Sequence, residues 1–370
     1  MTALFSPQTL RSLAVPNRIV VAPMCQYSAQ EGRATSWHTV HLGTMALSGA
    51  GMVIIEATAV TPEGRITPCD LGLWDDATEA ALAQALGAVR DISKTAITMQ
   101  ISHAGRKASS HVPWEGGQLM PPAEGGWATL APSAVPQKDG ETAPVALDEA
   151  GLARIREAFA ATARRAARLG IDGIEIHAAH GYLLHQFLSP ISNQRQDSYG
   201  GALENRMRFP LEVFDAVRAA FPAERPVGIR ISASDWLPEG WDVEQSIAFV
   251  AELKKRGVDW VNVSSGGISP RQQIKLGPNY QVPFAQAIKA SSDVPTMAAG
   301  LITEARQAEE IIAAGQADFV AIARGMLYNP RWGWHAAATL GASVQAPPQY
   351  WRAIPHEHKE LFGTTVFGGR

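Results

Sequence analysis

Gly173-Ile174-Glu175-Ile176-His177-Ala178, running on into Ala179-His180-Gly181-Tyr182, is the stretch from which the fold is read. It is short, built around two isoleucines, and turns polar as it ends. The segment before it carries Asp148 as an N-cap, a stripe of Leu152, Ile155 and Phe159, and Gly170 as a stop. That pattern predicts a helix over Asp148–Leu169. A helix followed within a few residues by an apolar strand with a polar end is half of a β/α repeat. The same unit recurs on both sides. Strands are expected from Arg18 (RIVVAPM), Met52 (MVIIEA), Ala96 (AITMQIS), Val227 (VGIRIS), Trp260 (WVNVSS), Pro295 (PTMAAG) and Phe319 (FVAIAR), which with Gly173 makes eight. Further helices are expected near Asp75, Leu203, Val243, Val282 and Thr303. Short runs apolar on both faces suit parallel strands covered by helices. The fold class predicted is α/β, a single (β/α)8 barrel spanning residues 1–370, with a doubly wound open sheet as the competitor.

Three segments depart from the repeat. Between Ala96 and Gly173 lie 77 residues, too many for one β/α unit. They include a Pro- and Gly-rich excursion over about 111–145 with Trp114 and Trp127. In a barrel this leaves the C-terminal end of the third strand, so it is expected to act as a lid. Pro210 is expected to kink or delay the helix beginning at Leu203. The tail over about 330–370 holds several prolines with Trp332, Trp334, Tyr350 and Trp351, and should pack on its own barrel or on a neighbouring subunit.

Composition narrows the class. The 370 residues are 46% hydrophobic and 18% charged, and 32 Lys+Arg against 35 Asp+Glu give a net charge of −3. That is ample core material and no basic footprint for nucleic acid or an anionic membrane. Met1–Arg18 lacks an apolar secretory core, and the longest stretch free of Asp, Glu, Lys and Arg, Ala34–Ile55, is interrupted by two histidines and three glycines. A cytoplasmic protein is expected. Two cysteines, Cys25 and Cys69, are too few for a disulfide framework, a tetrathiolate zinc site or a Cys-ligated cluster.

In a barrel, chemistry sits at the C-terminal strand ends. Those ends carry Pro23-Met24-Cys25-Gln26-Tyr27, Glu56-Ala57-Thr58, Gln100 with His103, Glu175 with His177 and His180, Arg230, Ser264–Gly267, Ala299-Gly300 and Ala323-Arg324. Polar groups from several strands above apolar strand bodies are an enzyme's layout. The late glycine-bearing ends (Ser264–Gly267, Gly300, Arg324) suit a phosphate. Gly49-Ala50-Gly51 precedes its strand, so a nicotinamide-binding Rossmann fingerprint is not supported. His177 and His180 could hold a metal, but the other ends lack further His, Asp or Glu ligands in the right number; no metal is expected. Alternatively both imidazoles donate N–H to a substrate oxygen, with the Tyr182 phenol as proton donor. A cofactor-free lyase or isomerase using the same His/Tyr chemistry, and a non-catalytic binding or sensor protein, are the rival readings.

The run from His177 through Gly181, Tyr182, Gln186-Phe187-Leu188-Ser189-Pro190, Asn193, Arg195, Asp197, Tyr199-Gly200-Gly201 and Glu204-Asn205-Arg206 resembles the old yellow enzyme family of FMN-dependent ene reductases. Asn17-Arg18, Ala22-Pro23-Met24, Gln100 with His103-Ala-Gly105-Arg106, and Ala323-Arg324 extend the similarity over almost the whole chain. Cys25, Tyr27 and Gln349-Tyr350-Trp351-Arg352 are similar to the thermophilic-like (xenobiotic reductase) branch.

The resemblance implies FMN as cofactor and NADPH or NADH as reductant. It implies FMN contacts from Pro23, Met24, Cys25, Ala57, Gln100, Arg230, Ala299, Gly300, Ala323 and Arg324, with the phosphate at Gly300 and Arg324. Tyr182, His177 and His180 would be catalytic, reducing an activated alkene: an enone, maleimide, quinone or nitro compound. Cys25 and Tyr27 would tune the flavin and contact substrate, while Tyr350 and Arg352 would reach the active site of a neighbour in a homodimer or homotetramer. Ala323 stands where many relatives have Gly, and Ala299 where some have Trp, which implies a roomier site.

Overall fold

The computed structural model describes residues 2–365; Met1 and the end of the expected tail, 366–370, lie outside the described residues. Eight parallel strands close into a barrel: β1 (Ile19–Val21), β2 (Met52–Ala59), β3 (Ala96–Ser102), β4 (Gly173–Ala178), β5 (Val227–Ser232), β6 (Val261–Ser264), β7 (Thr296–Ala298) and β8 (Phe319–Ile322). Strands pair in chain order and β8 pairs with β1, so the (β/α)8 expectation holds and the open sheet is excluded. Helices α1 (Ser36–Ala46), α2 (Asp76–Ile92), α3 (Glu149–Arg168), α4 (Leu183–Leu188), α5 (Leu203–Ala220), α6 (Val243–Lys255), α7 (Val282–Ser292) and α8 (Ala305–Ala313) lie between strands, and α9 (Arg324–Tyr328) and α10 (Trp332–Leu340) follow β8.

Local chemistry places these elements. Asp75, Asp148 and Asp242 each accept a backbone N–H of the first turn of α2, α3 and α6. Gly170 takes φ +68° just past α3, a conformation that stops the helix and that L side chains rarely adopt. Pro210 does not break α5, which runs unbroken through it from Leu203 to Ala220. Phe209, Pro210 and Leu211 are all buried in this helix, which packs on α3, so burial outweighs the lost N–H.

Register is tied by a repeated device. Asp172, Asp259 and Asp318, each just before a strand, accept the backbone N–H of Ile97, Val227 and Thr296 at 2.8, 2.8 and 2.9 Å. Each carboxylate thus pins its strand to the preceding one. Val20, Met52, Ile54, Trp260, Met297 and Phe319 fill the lower barrel, and Leu10 and Val15 of an N-terminal hairpin plug its base. Gly228 lacks the Cβ that would run into the Trp260 ring.

The excursion after β3 folds back over the strand ends. Trp127 Nε1 donates to Glu63 O at 2.9 Å, and the Arg65 guanidinium lies 5.6 and 5.1 Å from the Trp74 and Trp127 rings. Trp114 meets Tyr27 edge-on at 5.8 Å. The tail goes the other way. Ser343–Pro347 line a cavity of about 470 Å³ with Ala50, Gly51, Ala96 and Asp172, at the N-terminal strand ends. Among the described residues no helix is long and apolar enough to cross a membrane.

Candidate active site

β4 delivers His177 to the mouth of the barrel, and a tight turn brings His180 beside it. His180 has φ +59°, an uncommon conformation for a residue with a Cβ. Both of its backbone groups are held. Ser232 Oγ accepts its N–H at 2.9 Å, and Lys107 Nζ donates to its carbonyl at 2.8 Å. Gly181 N–H donates to His185 Nδ1 at 2.9 Å, and His185 Nε2 lies 2.9 Å from Asp235 Oδ1, both side chains fully buried. Gly267 packs against this turn where any Cβ would collide with the His180 backbone. Ser264 and Gly267, expected from the sequence beside a phosphate, also hold the histidine turn.

His177 Nε2 and His180 Nδ1 converge to 3.3 Å, with their rings edge-on at 5.1 Å. Burial, with the Arg230 charge behind it, pushes both imidazoles well below the ordinary histidine range. They are neutral at physiological pH, so each ring carries one N–H and no positive charge. Tyr182 caps α4 and stands edge-on to His177 at 4.8 Å. Burial first, then nearby Cys25, Tyr27 and Asp70, raises its phenol well above the usual value, so it holds its proton.

Below lies a polar floor. Glu175, fully buried, accepts from Gln100 Nε2 at 2.7 Å, Asn262 Nδ2 at 2.9 Å and Trp260 Nε1 at 3.2 Å. It is the carboxylate facing Arg230, whose guanidinium is desolvated and whose Nε has no partner among the described residues. A buried guanidinium with an orphaned N–H calls for an electron-rich ligand edge. Gln100 keeps its carbonyl oxygen free of protein partners, which leaves an acceptor beside it. This donor–acceptor set fits the pyrimidine edge of a flavin. Ala57 and Ala299 are small and buried, and Pro23 and Met24 half-buried, as a flat ring requires. The β2–β3 register shifts between Ile55 and Thr58, which re-aims Glu56 and Ala57 at the mouth. Gly300 sits at φ +109°, where a Cβ would come within 2.8 Å of Tyr280 and Gln281. Arg324 is exposed beside it, and Ala323, at φ −104°, asks nothing of glycine.

On the other wall Cys25 and Tyr27 are half-buried, and Tyr27 has φ +50°. Burial, then Asp70 and Glu56, raises the Cys25 thiol, so it is not a thiolate. Glu56 accepts Gln26 N–H at 2.9 Å and lies 3.5 Å from His38. Burial pushes its carboxyl up to about 8. Tyr350 and Arg352 do not join this site. Tyr350 meets Trp334 edge-on at 5.9 Å beneath the Arg331 guanidinium, towards the opposite end of the barrel.

Sequence reading missed Lys107 and did not pair Ser264 with His180. Lys107 immediately follows the Gln100–Arg106 run, and only its position over Tyr182 marks it out.

Residues 3–341 match the model of the NADH:flavin oxidoreductase / NADH oxidase family. The chain belongs to that family. It is 45% identical over 353 residues to an NADPH dehydrogenase of Geobacillus thermodenitrificans, covering 95% of this chain and 98% of the relative. It is 44% identical over 366 residues to an NADH:flavin oxidoreductase of Gibberella zeae, covering 94% and 88%. Among solved structures it is similar to morphinone reductase in complex with tetrahydroNAD, with a TM-score of 0.75, 29% identity and coverage of 93% and 92%. The protein is therefore an NAD(P)H-dependent flavin oxidoreductase of the old yellow enzyme type with FMN as cofactor. This sets aside the cofactor-free lyase or isomerase.

Proposed function

We propose that this flavin oxidoreductase is an ene reductase acting on activated alkenes, carried by the convergence of two neutral imidazoles beside an un-ionised phenol, above a guanidinium with no partner among the described residues. FMN, held by these residues, would supply the redox chemistry, by which hydride from NADPH or NADH would reach the β-carbon of an enone, maleimide, quinone or nitroalkene. His177 and His180 hold the substrate's carbonyl or nitro oxygen and draw electron density from that carbon. Tyr182 gives the proton that completes the product at the α-carbon, which its high pKa allows without prior ionisation at neutral pH. Arg230 and Gln100 hold the pyrimidine edge; Gly300 and Arg324 hold the phosphate. Pro23, Met24, Ala57, Ala299 and Ala323 line the ring, and Cys25 and Tyr27 face the substrate. Tyr350 and Arg352, turned away from their own site, serve a neighbour's site in a homo-oligomer.

The test is anaerobic reduction by each nicotinamide, followed by cyclohexenone, a maleimide, a quinone and a nitroalkene. Reoxidation by these acceptors is the expected result. Reduction with no reoxidation by any of them overturns the ene reductase reading and leaves a flavin oxidoreductase with a different electron acceptor.

A further inference from the structure

Two imidazoles can both donate to one oxygen only if each carries its proton on the nitrogen that faces the pocket. For His177 the backbone decides this. Ala179 N–H donates to Nδ1 at 3.2 Å, so the proton rides on Nε2, the pocket nitrogen. For His180 the pocket nitrogen is Nδ1, and the backbone does not reach the opposite nitrogen. What reaches it is a hydroxyl: Ser264 Oγ lies 2.7 Å from His180 Nε2.

A hydroxyl accepts or donates, so two arrangements are open. In one, Ser264 accepts from His180 Nε2–H and turns its own hydrogen to Gln281 Oε1, 3.3 Å away. His180 Nδ1 is then bare and accepts a hydrogen bond from His177 Nε2–H across 3.3 Å. That arrangement satisfies the pair with nothing between them, but offers the pocket no second donor. In the other, Ser264 donates to His180 Nε2, Nδ1 carries the proton, and both N–H groups point at the space between the rings. Ser265 Oγ already donates to Gln281 Oε1 at 2.7 Å, so the competing acceptor is partly taken. The shorter contact, to His180, is the one that remains available.

We propose that Ser264 is the positioning residue that sets the His180 tautomer, donating to Nε2 when a substrate oxygen enters so that both histidines become donors. The proposal deepens the ene reductase reading and rests on its assignment of His177 and His180 to the substrate oxygen. The change removes one proton from Nε2 and places one on Nδ1 by exchange with water, with no change in charge. Ser264 touches neither substrate nor the reacting carbons; it acts through His180. All the partners come from different strands or loops: His180 follows β4, Ser264 ends β6, and Gln281 caps α7.

The experiment uses oxidised holoenzyme labelled with 15N-histidine and titrated with cyclohexenone. Wild-type His180 Nδ1 should move from the unprotonated to the protonated range on binding, while His177 Nδ1 stays unprotonated. Ser264→Ala should retain FMN, bind cyclohexenone at least tenfold more weakly and lose the shift; Ser264→Thr should restore both. Gln281→Glu, which keeps Ser264 but draws its hydrogen to a carboxylate, should weaken binding in the same direction. If Ser264→Ala and Gln281→Glu both bind within twofold of wild type, or His180 Nδ1 does not change state in the wild type, the proposal is overturned. His177→Ala separates this from the parent reading: unchanged cyclohexenone binding in that variant sinks the histidine-pair assignment itself.

Discussion

The Lys107 ammonium nitrogen stands 5.1 Å over the Tyr182 ring, tethered to the backbone carbonyls of His180 and Gly267. One cation thus steadies the strained histidine turn and faces the phenol that is read as the proton donor. Charge grows on that phenol as the proton leaves, and a cation over the ring face stabilises it. Burial, together with the neighbouring Arg106 and Lys138 charges, lowers Lys107 to about 8. Its charge is therefore present below that pH and lost above it.

Tyr182→Phe is expected to slow reoxidation by cyclohexenone while leaving reduction by NADPH near wild type. Lys107→Met should slow the same half-reaction by roughly 3- to 30-fold at pH 7, the range of about 0.5–2 kcal/mol for such a contact. In the wild type that rate should fall as pH rises through about 8. Lys107→Met should remove the inflection. Stopped-flow traces from pH 6 to 9.5 check this, and an unchanged inflection in the variant counts against Lys107.

His177→Ala removes one of two oriented donors. Enone turnover should drop about 100-fold, the effect of losing roughly 3 kcal/mol of transition-state stabilisation. FMN content, read from the visible spectrum, should stay stoichiometric, because the flavin floor of Arg230, Glu175 and Gln100 does not depend on His177. Cyclohexenone rates near wild type would reject the assignment.

Glu56 keeps its proton in the fold up to about 8, far above an exposed glutamate, because burial outweighs the Gln26 N–H it accepts. Its contribution to stability is full below the unfolded value near 4.5 and fades as pH rises through about 8. Glu56→Gln keeps a carbonyl for Gln26 N–H and removes the titration. The variant should gain stability over wild type on the order of 2–4 kcal/mol at pH 9 and little at pH 5. Urea melts of the holoenzyme at the two pH values decide it; equal differences at both would exclude Glu56 as the source.

Arg352 is exposed. If the tail serves a neighbour, Arg352→Ala should raise the enone KM severalfold without loss of FMN, and dilution of wild type below its dissociation range should do the same. Activity per site that stays constant on dilution to monomer contradicts the arrangement.

The eight strands were legible because they are short, largely apolar runs, most of them bounded by Gly, Pro or Asp, and covered parallel strands need little else. Helix starts at Asp75, Asp148 and Asp242 were legible because capping is local. Pro210 does not delay the helix, which starts at Leu203, because the buried face around Phe209 and Leu211 decides its continuity. Likewise His177, His180 and Tyr182 announced themselves by spacing, since three chemically active side chains within six residues share one strand end.

What the chain alone determined, then, is the list of groups that arrive at the barrel mouth, because period, caps and strand boundaries are nearest-neighbour properties. Which group meets which was decided by closure. Ser264 reaches His180 across 84 residues, Lys107 reaches the same residue across 73, and Glu175 gathers Gln100 from β3 and Trp260 and Asn262 from the start of β6. Those pairings depend on strand register, on the bulge at Ile55–Thr58 and on which side of each strand faces inward. These are properties of eight strands hydrogen-bonded in a ring, and no single segment contains them.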